Sequence, residues 1–284
     1  MTATTSTVKT YDLTVGRYSF HVNETGDRAN PTILWLHGSG PGVSALSNWE
    51  HLITRLAGSY HCVAPDLIGF GESTHPDPAP VGMTAFNELR ADTTLALVAA
   101  LGLERVHVVG NSMGGMITLL MLTQAPDRFD KVVLMGSGGA PVAPTQALIE
   151  MIQFYQDPSP ENMRKLMTNF VYDTATFDGR LDVIAADRVA KATRPQVKRS
   201  HLATFNPEGK PLSFTPEYLG AIDKEVLVVH GREDRLIPVE AAVYLSTHLP
   251  NAQLHVLPHG GHWIQIEQAA RFQQWLEVFL AEVI

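Results

Sequence analysis

The chain has 284 residues, 45% of them hydrophobic and 18% charged, which is enough for one large core and too apolar for a disordered segment. A formal net charge of −8 excludes nucleic acid and anionic membrane surfaces as natural partners, since both need a basic face, and an anionic substrate would require a local exception. Cys62, the single cysteine, excludes an internal disulfide, MTATTSTVKTYDL holds no apolar leader, and no run reaches transmembrane length, so the expected location is the cytoplasm.

Taken in order, the alternation in VKTYDLTV and RYSFHV predicts an opening hairpin that turns at Gly16. After Pro31, TILWLH is a near-continuous apolar run, the pattern of a strand covered on both faces. YHCVAPD, VHVVG, KVVLMG, EVLVVHG and AQLHVLP repeat it. Helical patterns separate them: WEHLITRLA, TAFNELRADTTLALVAALG, GGMITLLMLTQAP, VEAAVYLSTHL and EQAARFQQWLEVFLAEV. Strands alternating with helices of this length predict an α/β architecture, a mainly parallel central sheet with helices on both faces. Residues 141–218 interrupt the alternation with helix-like segments and no convincing strand, between stretches rich in proline and glycine. They are expected to form a helical lid inserted into a core of residues 1–140 and 219–284. The lid's nine basic and nine acidic residues cancel, so the core carries the whole negative balance.

Gly110-Asn111-Ser112-Met113-Gly114 matches G-x-S-x-G, with a strand before it and a helix after. In that setting the small flanking residues permit a very tight turn. It holds Ser112 out over a helix N-terminus, where free N–H groups favour negative charge. A nucleophilic serine needs a base and an orienting carboxylate, in chain order Ser, Asp/Glu, His. Of twelve histidines, most lie in predicted strands or helices, whereas His262 in LPHGGHWIQIE follows the last strand on a loop opened by two glycines. His259 is its rival, and the two also form an HxxH spacing, but no acid or cysteine cluster supports a metal site. For the carboxylate, EVLVVHGREDRLIP places Asp234 beyond a strand end; Asp66 in APDLIGFGES precedes the serine and is assigned to bonding its own turn. LHGSGPG, residues 36–42, has no phosphate-loop pattern. It is placed to let the N–H groups of Ser39 and Met113 converge on an oxyanion, worth about 3 kcal/mol per donor.

With LHGSGPG, PDLIGFGES, GNSMGG, HGREDRLIP and GGHW in view, the sequence resembles the α/β-hydrolase superfamily along its whole length. More narrowly it resembles the meta-cleavage product hydrolases, which hydrolyse carbon–carbon bonds in aromatic degradation. The resemblance implies an α/β-hydrolase fold, no cofactor, and a homo-oligomer, dimer or larger. It implies a small anionic dienoate as substrate: a 2-hydroxy-6-oxohexa-2,4-dienoate, split by water into 2-hydroxypenta-2,4-dienoate and a carboxylic acid. Gly40, Asn48, Asn111, Arg188 and Trp263 match family positions around the substrate's carboxylate, 2-oxygen and dienoate plane. Arg188 also has an argument of its own. If GRLDVIAADRVAKA is a helix, Leu181, Ile184, Ala185 and Ala192 define its apolar stripe, and Arg188 lies within it, with no acid between itself and Glu208. A guanidinium so placed suits bidentate binding of a carboxylate. Leu46 stands where the family often has an aromatic residue and the lid matches least well, which leaves the 6-substituent open. A carboxylesterase or lactonase would use the same triad without needing Arg188 or Asn48. A non-catalytic binding protein on the same scaffold would not need to retain Ser112, Asp234 and His262 together.

Overall fold

The computed structural model describes residues 7–281. Strands β1 (Lys9–Val15) and β2 (Tyr18–Thr25) form the expected antiparallel hairpin, closed at Gly16 with φ +60°. The remaining strands are β3 (Thr32–Leu36), β4 (His61–Pro65), β5 (Val106–Asn111), β6 (Phe129–Met135), β7 (Val226–Gly231) and β8 (Ala252–Leu257). They complete an eight-stranded sheet of order β1-β2-β4-β3-β5-β6-β7-β8, parallel from β4 to β8. Every residue of β3, β4 and β7 is buried, which accounts for their unbroken apolar runs.

Alternate residues of the inner strands feed two separate cores. On one face Leu34, Val108, Leu134 and Val228 pack with α2 (Met83–Ala100) and α3 (Met113–Gln124). On the other, Ile33, Val109, Val133 and Val229 pack with α1 (Ala45–Leu56). The strand order reverses at β3, whose chain neighbour β4 lies on one side and β5 on the other. That reversal opens a crevice at the adjacent carboxyl ends, where Leu36 pairs with Gly110.

Between β6 and β7 the described elements are all helical: α4 (Gln146–Ile152), α5 (Pro160–Phe170), α6 (Leu181–Ala192), α7 (Pro195–Thr204) and α8 (Pro216–Gly220). Met151, Phe154, Met163, Phe170 and Ala185 form a third apolar cluster, which also takes in Leu236 and Trp263 from beyond these helices. The chain then runs through β7, α9 (Val239–His248), β8, α10 (Ile264–Glu267) and α11 (Ala269–Ala281).

Two helix boundaries differ from expectation. The first helix begins at Ala45, four residues before WEHLITRLA, because Ser44 and Ser47 form a reciprocal capping box; Asn48 therefore sits in a helical first turn. The C-terminal helix breaks at Gln268, whose backbone leaves the helical region at φ −126° and ψ 42° and whose amide Nε2 donates back to the carbonyls of Pro258 and His259. The end of the predicted pattern, residues 282–284, lies outside the described residues.

Candidate active site

β5 ends on Asn111 and α3 begins on Met113, leaving Ser112 alone at the join with φ +54° and ψ −114°. A non-glycine residue holds that conformation only when its surroundings impose it. Here the Ser112 N–H donates to Met135 O at 3.0 Å, and the crossing of β5 with α3 leaves no room to relax. A Cβ on Gly110 would lie 2.6 Å from both Gly114 O and Thr118 Oγ1, and one on Gly114 would run into the Leu36 carbonyl. The glycines of the motif are thus required by close approach.

Asp234 follows β7 and is buried, with its Oδ1 accepting from the backbone N–H groups of Leu236 (2.8 Å) and Ile237 (3.0 Å). Its Oδ2 lies 2.6 Å from His262 Nδ1. Burial alone would raise the Asp234 pKa, but the charge and hydrogen bond of His262, with His230 and the Ile237 N–H, hold it below the ordinary aspartate value. The imidazole lies against Gly136, where a Cβ would approach within 3.1 Å of its Nδ1. Gly136 adjoins Met135, the residue that anchors Ser112, so the end of β6 touches both the serine and the imidazole–carboxylate pair. His259, three residues earlier, is exposed and packs edge-on against Tyr172. Asp66 performs the structural role expected of it, accepting from Ala45 N at 2.6 Å and Glu72 N at 3.0 Å.

The predicted polar residues gather beside this relay. Arg188 is buried on α6; its Nε donates to Pro41 O at 2.9 Å, and its guanidinium carbon stands 5.2 Å from the Trp263 ring centroid. A Cβ on Gly40 would come within 3.2 Å of Arg188 Nη2, so the guanidinium lies directly against the glycine loop. Gly42, at φ +70°, meets the backbone of Arg188 itself, so the loop is glycine-rich partly because α6 rests on it. Among the described residues no carboxylate pairs with Arg188. Burial pushes its pKa down to about 10, which leaves it charged at neutral pH. Asn48 and Asn111 are both buried, Asn48 Nδ2 donating to Asn111 Oδ1 at 2.9 Å and Asn111 Nδ2 to Met135 O at 3.1 Å. The Trp263 ring packs, tilted, on Phe170 of α5 at 4.4 Å and its backbone N–H donates to Phe170 O at 3.0 Å, tying the histidine loop to α5.

Ser39, Ser112 and Met113 also border a cavity of about 430 Å³ that Arg188 does not line. Its walls are largely apolar: Met116 from the core, Leu148 and Ile152 from α4, Leu212 from the segment before α8, and Leu236 and Ile237 from the loop after Asp234, with Thr204, Asn206 and Lys210 as polar exceptions.

Two buried residues went unmarked by sequence reasoning. Arg90 on α2 is fully buried, donating to Ile68 O (3.0 Å), Asn87 Oδ1 (2.8 Å) and Thr204 Oγ1 (2.8 Å), with Met113 Sδ 3.4 Å away. Its signal was present, since Phe86, Asn87, Arg90, Ala91, Thr94, Leu97 and Val98 share one helical stripe. His230, read as an ordinary strand histidine, lies with its Nε2 3.4 Å from Asp234 Oδ2.

Comparison with known proteins places these features in context. Residues 33–275 match the profile described as the alpha/beta hydrolase family. A 2-hydroxymuconate semialdehyde hydrolase of Pseudomonas sp. strain CF600 is 36% identical over 88% of this chain and 87% of its own. The structure of a 2-hydroxy-6-oxo-6-phenylhexa-2,4-dienoate hydrolase from Rhodococcus sp. strain RHA1 superposes with a TM-score of 0.92 at 39% identity, covering 98% of this chain and 100% of the other. A meta-cleavage product hydrolase from Pseudomonas fluorescens IP01 superposes at 0.87 with 31% identity, covering 95% and 97%.

Proposed function

Because the chain belongs to the alpha/beta hydrolase family, and within it to the meta-cleavage product hydrolases, we propose that it hydrolyses the C5–C6 bond of a 2-hydroxy-6-oxohexa-2,4-dienoate bearing an aryl-sized apolar group at C6. The observation that carries this reading is the buried Arg188 guanidinium, held against the glycine loop with no carboxylate of the described chain to neutralise it. A buried cation without a counter-charge is costly, and a substrate carboxylate relieves that cost. The cavity bordered by Ser112 supports the choice of substituent. An apolar cavity of about 150 Å³ suffices to hold benzene, and this one has about 430 Å³.

In this reading Arg188 takes the carboxylate, Asn48 and Asn111 take the 2-oxygen, and Trp263 packs beside the diene, with residues 141–218 as a lid over residues 1–140 and 219–284. The difficulty of the reaction is its leaving group, since direct cleavage would expel a strongly basic vinyl carbanion. Loss of the 2-hydroxyl proton and protonation at C5 give the ketone first. Cleavage of the C5–C6 bond then leaves its electron pair in an enolate stabilised through to the 2-oxygen. Ser112 Oγ, passing its proton to His262, attacks C6, while the N–H groups of Ser39 and Met113 hold the oxyanion. His262 gives that proton to the departing fragment. It then takes one from water as the acyl-enzyme is hydrolysed, releasing the carboxylic acid. Asp234 orients the imidazole and stabilises its charged form. The reading includes a cytoplasmic location, with which a chain holding a single cysteine, the buried Cys62, is compatible.

The test is the visible absorbance of the dienoates, which disappears on cleavage. The 6-phenyl compound should be consumed faster than the 6-methyl and 6-hydrogen compounds, giving benzoate. Ser112→Ala should lose several orders of magnitude in turnover while still binding substrate. Turnover of neutral esters with no turnover of any dienoate would make the protein a carboxylesterase. A preference for 6-hydrogen would overturn the aryl assignment alone.

A further inference from the structure

His230 occupies the penultimate position of β7 and is completely buried. Its Nε2 lies 2.9 Å from Ile237 O and 3.4 Å from Asp234 Oδ2, while its Nδ1 is buried with no hydrogen-bond partner. That asymmetry assigns the proton. A buried N–H with no acceptor costs more than a lone pair with no donor, so the neutral ring carries its hydrogen on Nε2. From there it points into the gap between the Ile237 carbonyl and the carboxylate.

We propose that His230 is a positioning residue of the relay, its Nε2–H shared between Ile237 O and Asp234 Oδ2, so that two histidines hold the same carboxylate oxygen from different directions. The proposal rests on Ser112, His262 and Asp234 acting as nucleophile, base and orienter. It has two physical consequences. Asp234 is fixed by three hydrogen bonds, two from backbone N–H groups on Oδ1 and one from His262 on Oδ2, and His230 Nε2 stands 3.4 Å from the same Oδ2 as a fourth polar contact. The His230 donor also draws off part of the negative charge on the carboxylate oxygen that it shares with His262. The ionisable groups around the ring are few. Asp234 faces it from the loop after its own strand, His262 from the loop after β8, and Glu240 from α9. Burial lowers the His230 pKa, which favours the neutral ring and a role as a dipole.

The test compares wild type with His230→Leu, which removes the donor, and His230→Gln, whose amide nitrogen reaches a similar point. Read on the pH profile of kcat/KM, the acid limb of His230→Leu should move up by roughly half to one unit, a three- to tenfold tighter hold on the proton. His230→Gln should stay with wild type, and KM on the plateau should be unchanged in both. A merely structural histidine would lower stability and leave the acid limb in place. Coincident limbs for all three proteins, or equal displacement in Leu and Gln variants, would overturn the proposal. Should the Leu variant not fold, nitrogen NMR of histidine-labelled wild type decides. His230 must show the neutral Nε2–H form throughout pH 5–9, and an Nδ1–H or charged ring refutes the role. Normal activity in Ser112→Ala would instead sink the relay reading, whatever the histidine does.

Discussion

Replacing Arg188 by Gln removes the charge and half of the fork while keeping a side chain of similar reach. In the proposed complex the substrate carboxylate accepts two charge-assisted hydrogen bonds, each worth about 1.5–3 kcal/mol, and glutamine returns one neutral bond of about 1 kcal/mol. The net loss is about 3 kcal/mol, which at about 1.4 kcal/mol per decade is a fall of roughly a hundredfold in kcat/KM for any dienoate. A neutral aryl ester has no carboxylate to lose. It feels only the missing bond from Nε to Pro41 O and the lost approach to the Trp263 ring, together about 1 kcal/mol, or less than about tenfold. The two substrates should therefore separate by more than an order of magnitude in the variant. Dienoate loss by visible absorbance and ester cleavage by nitrophenolate release measure both on one preparation. Equal losses, within about threefold, would mean that Arg188 braces the glycine loop and binds nothing.

Arg90→Met should lower the free energy of unfolding by about 3 kcal/mol, because Ile68 O, Asn87 and Thr204 would be left buried without their donor. Urea midpoints measure it, and a change below about 1 kcal/mol would show that water replaces the guanidinium. Glu24 supplies a pH dependence. Burial raises its pKa, but hydrogen bonds from Arg28, Tyr11 and His61 outweigh burial and bring it from 4.5 to about 2. A folded-state value below the unfolded one gives stability that is present above pH 4.5 and is lost as pH falls towards 2. Wild type should lose urea resistance across that window while Glu24→Gln, weaker at pH 7, changes less; parallel curves would refute the assignment.

The parts of this molecule that could be read from the sequence depend on local pattern. Apolar runs located the parallel strands, G-x-S-x-G with its flanking elements located Ser112, and the two glycines before His262 marked a loop free to approach it. The apolar stripe of α6 pointed Arg188 inward before any contact was known. What escaped depends on partners distant in the chain. Arg90 lies on a stripe as clear as that of Arg188, but its acceptors, Ile68 and Thr204, come from a loop 22 residues before it and from α7, 114 residues after it. His230 looked like one more strand histidine because strand register does not reveal that the following turn folds Asp234 and Ile237 back onto its ring. The start of α1 was missed for a local reason. Ser44 and Ser47 lack the acidic partner that usually advertises a capping box, although they close one geometrically.

The two buried arginines also show why one of them is assigned to substrate. Both lie inside a chain of net charge −8, neither has a carboxylate partner among the described residues, and burial lowers both, Arg90 to about 9 and Arg188 to about 10. Taking either out of water costs several kcal/mol unless neutral groups compensate. For Arg90 they do: oxygen acceptors meet all three of its nitrogens, and the rings of Phe86 and Phe70 lie 3.8 and 4.8 Å from its guanidinium carbon. The described contacts of Arg188 are sparser, one backbone oxygen on Nε and one ring at 5.2 Å. Its Nη2 faces the glycine loop beside Ser39, where a bulkier residue than Gly40 would crowd it. A guanidinium whose needs are met holds a fold together. One whose described contacts are this sparse is the one we propose for the substrate carboxylate, and the deficit that makes its burial costly would then make it selective for an acid.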